Sequence, residues 1–152
     1  MKEEFKSFSN RFNQNESNKP DSELDINSLE TDYQIKLPAD YREFLSEYGD
    51  LWTPNILDLI DDNELDLNDV QDFWKVERIK HDKENEWASQ LDTDLIPFAS
   101  DCMGNIFSFK TEQLKNSNET SEIYFFDHDF GTIELVSSSF TQWINEYLKI
   151  KE

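Results

Sequence analysis

The sequence predicts an α+β fold, a single domain in which two N-terminal helices, one long middle helix and a C-terminal helix pack around a central antiparallel sheet of about four or more strands. Helical periodicity dominates the first half of the chain and its end, whereas the aromatic and β-branched residues typical of strands are concentrated between Ile96 and Val136. A parallel, doubly wound sheet would require strands and helices to alternate. The 152 residues suffice for one core, and 12 Phe, 5 Tyr and 4 Trp predict that this core is aromatic.

Residues 1–20 form the first segment of the predicted domain, residues 1–152. Phe5, Phe8 and Phe12 recur at i, i+3 and i+7, which places three rings on one face of a helix, and a polar stretch follows them. Two interpretations remain open. The segment is either a docking helix followed by a linker, or a frayed arm, because chain termini are poorly ordered unless they are tied down.

Two helices follow this segment. The first starts after Pro20, with Asp21 or Ser22 as its cap, and ends near Gln34. The second opens at Leu37-Pro38 and stops at Gly49, a residue that readily adopts the left-handed conformation. Its apolar face is formed by Tyr41, Phe44, Leu45 and Tyr48.

The middle of the chain, Ile56 to Asp72, alternates aliphatic residues with acids, and seven carboxylates fall in fifteen positions from Asp58. This pattern predicts a short strand that leads into an acidic loop. Asn68 or Asp69 then caps the long middle helix, which runs to about Leu91. The residues expected to pack at its two ends are Val70, Phe73 and Trp74 at one end and Trp87 and Leu91 at the other.

The strand region contains a predicted hairpin that turns at Gly104-Asn105, between Phe98 and Ile106. A third strand covers Ile123 to Asp127, and a fourth follows Gly131 at Ile133 to Val136. The closing helix begins with a capping box of Ser139 and Gln142. Its apolar face is formed by Phe140, Trp143, Ile144 and Tyr147.

The charge of the chain restricts its partners. Lys and Arg number 14 against 34 Asp and Glu, which gives a formal net charge of -20. A field of this sign repels nucleic acid and anionic membranes and attracts a basic protein partner, although acidity can also serve solubility alone. The candidate partner-binding residues are Asp58, Asp61, Asp62, Glu64 and Asp66. The alternative that these residues form only a solvated loop and a helix cap stays open, and we expect a monomer or a weak dimer.

The strongest candidate for chemistry is Asp127-His128-Asp129, near Asp101 if the strands pair as predicted. A histidine between carboxylates could bind a metal or act as a base, but alternation along a strand places His128 on the face opposite to both aspartates. A structural role at the strand end is therefore favoured. We expect no catalytic residue, no cofactor and no metal, so the sequence does not predict an enzyme.

The remaining motifs of the chain also exclude more than they indicate. A single cysteine, Cys102, forms neither an internal disulfide nor a cysteine zinc cluster. Three glycines cannot build a phosphate-binding loop. The first 20 residues have no continuous apolar stretch, which is unlike a signal peptide or a membrane span, and we expect a cytoplasmic protein.

Several blocks of the sequence, in their order and spacing between Asp21 and Leu148, resemble the SUKH superfamily, whose best-known eukaryotic members are the Smi/Knr regulators of yeast cell-wall synthesis. The residues that carry this resemblance are Leu37, Pro38, Tyr41, Phe44, Leu45, Gly49, Pro97, Phe98, Asp101, Gly104, Asn105, Tyr124, Asp127, His128, Phe140 and Trp143.

The resemblance implies an α+β fold and supplies no catalytic residues. For small bacterial members it implies immunity proteins, which bind and neutralise toxins, often nucleases, of polymorphic or contact-dependent systems. Our first hypothesis is a non-enzymatic immunity protein with a basic toxin domain as its partner. The second is a protein-interaction scaffold or regulator of cell-wall synthesis or signalling. The third is a metal-dependent hydrolase that uses Asp101, Asp127 and His128.

Overall fold

Helices surround an antiparallel sheet in this protein. A computed structural model describes residues 2–84 and 94–151, which form six α-helices and one five-stranded sheet. The elements in chain order are α1 (Glu3–Phe12), α2 (Glu23–Tyr33), α3 (Ala39–Glu47), α4 (Asn55–Asp62), β1 (Asp72–Phe73), α5 (Val76–Glu84), β2 (Leu95–Ser100), β3 (Ile106–Lys110), β4 (Ile123–Asp127), β5 (Thr132–Ser137) and α6 (Phe140–Leu148). The α+β class is therefore confirmed. Within the described ranges, no helix has the length and apolar character needed to cross a membrane.

The sheet is a meander in which each strand pairs with the next one along the chain, in the order β1-β2-β3-β4-β5. The predicted hairpin is confirmed, with Ser100 opposite Ile106 and Gly104 at φ +84° in the turn. The third and fourth predicted strands are β4 and β5. Both chain reversals therefore use the glycines that the sequence offered for them.

Strand β1 occupies a position where the sequence predicted a helix. The predicted start of that helix at Asn68 or Asp69 is wrong, because the helix begins at Val76. The backbone just before it is bonded to Leu51 and to β2 instead, since Phe73 N donates to Leu51 O at 2.9 Å and Trp74 N donates to Phe98 O of β2 at 2.9 Å. The predicted contacts of Trp87 and Leu91 lie outside the described residues.

Helix α4 also corrects a prediction, because the segment from Ile56 was expected to be a strand. Ile56 and Ile60 lie four residues apart and are both buried, which fits the period of a helix as well as the alternation of a strand. A strand would place Asp58 on the same face as both isoleucines, but Asp58 is exposed, as the period of a helix requires. The acids between and after them point away from the core.

The N-terminal helix α1 is docked on the core. Phe5 and Phe8 have an exposed fraction of 0% and Phe12 of 2%. The Phe5 ring packs against Phe140 with centroids 5.6 Å apart, and the Arg11 guanidinium donates to the carbonyl oxygen of Leu148 at 3.0 Å. Helix α1 is thus packed against the core in this structure, and its contacts with it are both apolar and hydrogen-bonded.

Buried carboxylates join the helices. Asp40 of α3 caps α6, because its Oδ2 accepts hydrogen bonds from the backbone N–H of Thr141 at 3.0 Å and from the Thr141 hydroxyl at 2.9 Å. Ser139 Oγ also accepts from Gln142 N at 3.0 Å, as predicted. Burial raises the pKa of Asp40, although the bonds from Thr141 partly offset this effect.

Asp21 joins three helices in a similar way. It precedes α2, its N–H donates to Leu45 O of α3 at 2.8 Å, and its Oδ2 accepts from Val76 N at the start of α5 at 3.3 Å. Ser22, and not Asp21, caps α2, because Ser22 Oγ accepts from Asp25 N at 3.1 Å. Burial raises the pKa of Asp21 to about 6, because the effect of burial is larger than the opposing effect of the hydrogen bond from Val76.

Gly49 provides a direct test of packing, with Gly131 as a matched control. Both residues have left-handed φ values, +69° and +67°, but a Cβ at Gly49 would lie 1.9 Å from Lys19 O, whereas a Cβ at Gly131 meets nothing within 4 Å. We expect Gly131→Ala to lower the free energy of unfolding by about 1 kcal/mol, the cost of the left-handed conformation. Gly49→Ala should lower it by more than about 3 kcal/mol, because the Lys19 backbone must also move. Urea unfolding measures both, and equal losses would contradict the steric contact.

Asp21 predicts a pH dependence of stability. Its pKa of about 6 lies above the unfolded value of 3.8, so the folded protein binds more protons between these pH values and loses stability as pH rises through them. We therefore expect Asp21→Asn to gain stability relative to the wild type as pH rises from about 4 to about 7, by up to about 3 kcal/mol. Asp58→Asn removes one exposed carboxylate and controls for net charge. A difference between Asp21→Asn and the wild type that stays constant with pH would refute this prediction.

Candidate functional site

Five carboxylates on α4 and the loop after it form an exposed group, which we name the acidic surface. Its members are Asp58, Asp61, Asp62, Glu64 and Asp66, and all five are exposed. None of them forms a salt bridge with another residue in the ranges 2–84 and 94–151. The structure thus brings together every residue that the sequence predicted for partner binding. Leu65, exposed to 39%, adds an apolar side chain to the same loop.

The position of these acids on α4 works against helix stability. Asp61 and Asp62 occupy the last turn of the helix, which contains no basic residue. The carboxyl end of a helix carries partial negative charge, so acids there are unfavourable and cations favourable. Helix stability therefore does not explain where these two charges lie.

The loop of the acidic surface has a fixed conformation. Asn63 ends α4, and its Nδ2 donates to Leu59 O at 2.8 Å and to Lys151 O at 3.1 Å. Leu65 N donates back to Ile60 O at 3.0 Å. Between them Glu64 has φ +52°, a left-handed value that is uncommon for residues other than glycine. The carboxylates are consequently presented by a backbone that is bonded on both sides.

A second polar cluster lies at the β2–β3 turn and involves Asp101, Asn105 and His128. Asp101 Oδ1 accepts from Met103 N at 2.9 Å and Asn105 N at 2.8 Å, and Asp101 Oδ2 accepts from Asn105 Nδ2 at 3.0 Å. Asn105 Oδ1 in turn accepts from His128 N at 3.1 Å and lies 2.7 Å from His128 Nδ1. These bonds join the β2–β3 turn to the β4–β5 turn, which is the structural role favoured by the sequence.

The predicted separation of His128 from its neighbouring aspartates is wrong for Asp129. Strand β4 ends at Asp127, so alternation does not extend to His128, and His128 Nε2 lies 3.4 Å from Asp129 Oδ1. Asp127 is used differently, because its Oδ1 accepts from Asp129 N at 2.9 Å and Phe130 N at 3.3 Å. The residues of the hydrolase hypothesis thus serve two turns, and the described part of the chain contains no group of three metal-ligating side chains.

Cys102 and the serines before α6 fit structural roles. Cys102 N donates to Asp69 Oδ2 at 3.2 Å, and partial burial together with the charges of Asp69 and Asp101 raises the pKa of the Cys102 thiol. A raised pKa disfavours the thiolate that a nucleophile requires. Ser139 caps α6, and Ser137 Oγ donates to Ser139 O at 3.1 Å.

The structure also contains a groove of about 450 Å³ that the sequence did not predict. Trp52, exposed to 43%, forms part of its wall, and the Arg78 guanidinium lies over the Trp74 ring at 4.2 Å. The acids Asp50 and Asp72 and the bases Lys75 and Arg78 all line the groove, so it favours neither charge sign. The sequence signal for this groove was Trp52, a tryptophan that lies in a polar segment and belongs to no predicted apolar face.

The residues that carried the family resemblance occupy the core and the turns. Tyr41, Phe44, Phe98, Phe140 and Trp143 contact one another in the aromatic core, and Asp101, Asn105 and His128 form the turn cluster. Their observed contacts are those of core packing and of turns. The acidic surface lies outside this set.

Comparison with known protein families identifies the family of this chain. The model of the SMI1 / KNR4 family (SUKH-1) matches residues 20–146, which is most of the chain. The comparison with curated proteins gave no match. The matched range includes every motif residue named above and excludes α1. The chain therefore belongs to the SMI1 / KNR4 family (SUKH-1).

Proposed function

We propose that this protein is a non-enzymatic immunity protein that neutralises a toxin of a bacterial polymorphic or contact-dependent system. It does so by occupying a basic cleft of the toxin domain, such as the substrate cleft of a nuclease. The observation that carries the proposal is the acidic surface, five exposed carboxylates without salt-bridge partners among the described residues, on a chain of net charge -20. A basic substrate cleft is the complement of such a surface.

One feature of the acidic surface favours binding over mere solvation. Asp61 and Asp62 lie where the helix dipole disfavours them. Charges that serve solubility alone could occupy any exposed position. Family membership supports the proposal more generally, since it fits a protein that acts by binding other proteins.

The proposed setting follows from the same properties. The single cysteine, Cys102, is an exposed free thiol, which fits a reducing compartment, and we propose the cytoplasm. Repulsion between two chains of this charge favours a monomer. No catalytic group and no cofactor enter the proposed mechanism, because neutralisation requires only occupancy of the toxin's cleft.

Growth rescue tests the function. We expect co-expression with the toxin domain encoded by the neighbouring gene to restore growth, and the double variant Asp61→Lys/Asp62→Lys to weaken that rescue. Glu16→Lys/Glu112→Lys makes the same change in net charge at two other exposed positions and should rescue like the wild type. Absence of rescue by the wild type, with only non-toxin proteins co-purifying, would instead favour a regulatory scaffold.

Association kinetics and stability should change in opposite directions in the Asp61→Lys/Asp62→Lys variant. We expect its association rate with the toxin domain to fall by about tenfold or more at low salt, with a smaller difference at high salt, because steering is electrostatic. Its free energy of unfolding should rise by about 0.3–1 kcal/mol per substitution, because cations suit this helix end. Stopped-flow mixing and urea unfolding measure the two quantities. A variant that loses both stability and association would show a structural role for these acids.

A further inference from the structure

The two edges of the sheet differ in how they are covered. The outer side of β1 is bonded to residues 51–53, since Phe73 N donates to Leu51 O at 2.9 Å and Thr53 N donates to Gln71 O at 2.7 Å. Strand β5, at the other edge, pairs with β4 alone in the described part of the chain. Unpaired N–H and C=O groups on such an edge can bond to another strand.

The first four residues of β5, Thr132 to Leu135, lack the features that usually prevent edge pairing. Natural edge strands are protected by lysines, prolines, bulges or very short length. Strand β5 has six residues, TIELVS, with Glu134 as its only charge and no proline. The one irregularity in its pairing with β4 is a bulge at Val136, near the end of β5, and the residues from Thr132 to Leu135 pair with β4 in regular register.

An exposed apolar row accompanies this edge. Ile133 and Leu135 are exposed to 36% and 57%, and Phe130 in the preceding turn to 80%. Ile133 lies opposite Phe126 and Leu135 lies opposite Tyr124, and both of these partners are buried. The exposed side chains therefore continue the buried apolar row of β4 onto the edge strand, β5.

The row and Glu134 lie on different faces of the sheet. Glu134 is opposite Phe125, whose ring contacts Phe107 at 5.1 Å, and Phe107 contacts Trp143 of α6 at 4.7 Å. Ile133 and Leu135 consequently lie on the face away from α6. A strand added beside β5 would meet apolar side chains on one face and a carboxylate on the other.

Charge selects the occupant of this edge. Two copies of the chain would each bring a net charge of -20. Antiparallel pairing of two copies centred on Glu134 would also place the two Glu134 side chains directly opposite each other, where like charges repel. An extended segment with apolar residues on one face and Lys or Arg on the other satisfies both faces at once.

We propose that β5 is a docking edge that accepts an extended segment of the basic partner as a sixth strand, with apolar side chains against Ile133 and Leu135 and a cation against Glu134. The inference rests on the proposed function, because the segment belongs to the same toxin domain that meets the acidic surface. Main-chain hydrogen bonds supply the attachment, and the alternating side chains supply the specificity.

An octapeptide of alternating Lys and Val, capped at both ends, probes the edge. We expect it to bind the full chain at least about tenfold more tightly than a peptide of the same composition in block order, because only alternation places Val and Lys on separate faces. Methylation of its alternate backbone nitrogens should abolish binding. Calorimetry measures affinity, and backbone amide shifts of β5 locate the peptide. Equal binding of the three peptides would overturn the proposal.

Variants of β5 have matched controls elsewhere on the surface. Ile133→Ser/Leu135→Ser should weaken peptide binding about tenfold, whereas Leu24→Ser, at a leucine exposed to 79%, should not change it. Glu134→Lys should transfer the preference to an alternating Glu-Val peptide, while Glu16→Lys, with the same change in net charge, should not. Far-ultraviolet circular dichroism checks that each variant is folded.

The experiment separates this inference from the proposed function. It contains no toxin, so it fails only when the edge does not accept a strand, whereas growth rescue fails when no toxin is neutralised. A concentration-dependent dimer that disappears in Leu135→Ser would assign the edge to a second copy and overturn the proposal. Unchanged peptide affinity in Ile133→Ser/Leu135→Ser would do the same.

Discussion

The contact of α6 with both the sheet and the other helices is the interaction on which the rest of the structure depends. Trp143 contacts Phe98 of β2 and Phe107 of β3, and Phe140 contacts Phe5 of α1 and Phe44 of α3. Aromatic rings bury large apolar areas, so a small number of them can stabilise a chain in which only 36% of residues are hydrophobic. Without α6 the phenylalanines of α1 and the inner face of the sheet would lose their common neighbour.

Buried carboxylates fix the positions of the helices around this core. Asp40 caps α6 from α3, Asp21 reaches the start of α5, and Glu30 accepts from Leu37 N at 2.7 Å and from Arg42 Nη1 at 2.7 Å. Each is buried and bonded, which limits the penalty of its desolvation. The acids of the interior therefore position helices, while those of the acidic surface remain available to a partner.

The sequence predicted the helices and strands best where only one period fitted. Phe140, Trp143 and Tyr147 fit a helix alone, and the hairpin had glycine where a left-handed residue was needed. It failed at Ile56 and Ile60, whose spacing fits two periods, and at Phe73, where bonds to β2 and to residues 51–53 override a local helical pattern. The acids of the candidate site could be identified from charge, but the exposure of β5 depends on which strand lies at the edge. Long-range pairing of this kind cannot be predicted from any single segment of the sequence.

The docking of α1 has a consequence for synthesis of the chain. Helix α1 packs mainly on α6, and Arg11 is bonded to Leu148 and Ile150, so α1 reaches these partners only after α6 has been synthesised. Until then the three phenylalanines of α1 have no completed core to enter. Such non-local contacts slow folding and leave apolar surface accessible to chaperones and proteases during translation. Premature termination before α6 should thus leave a fragment that the cell recognises as unfinished.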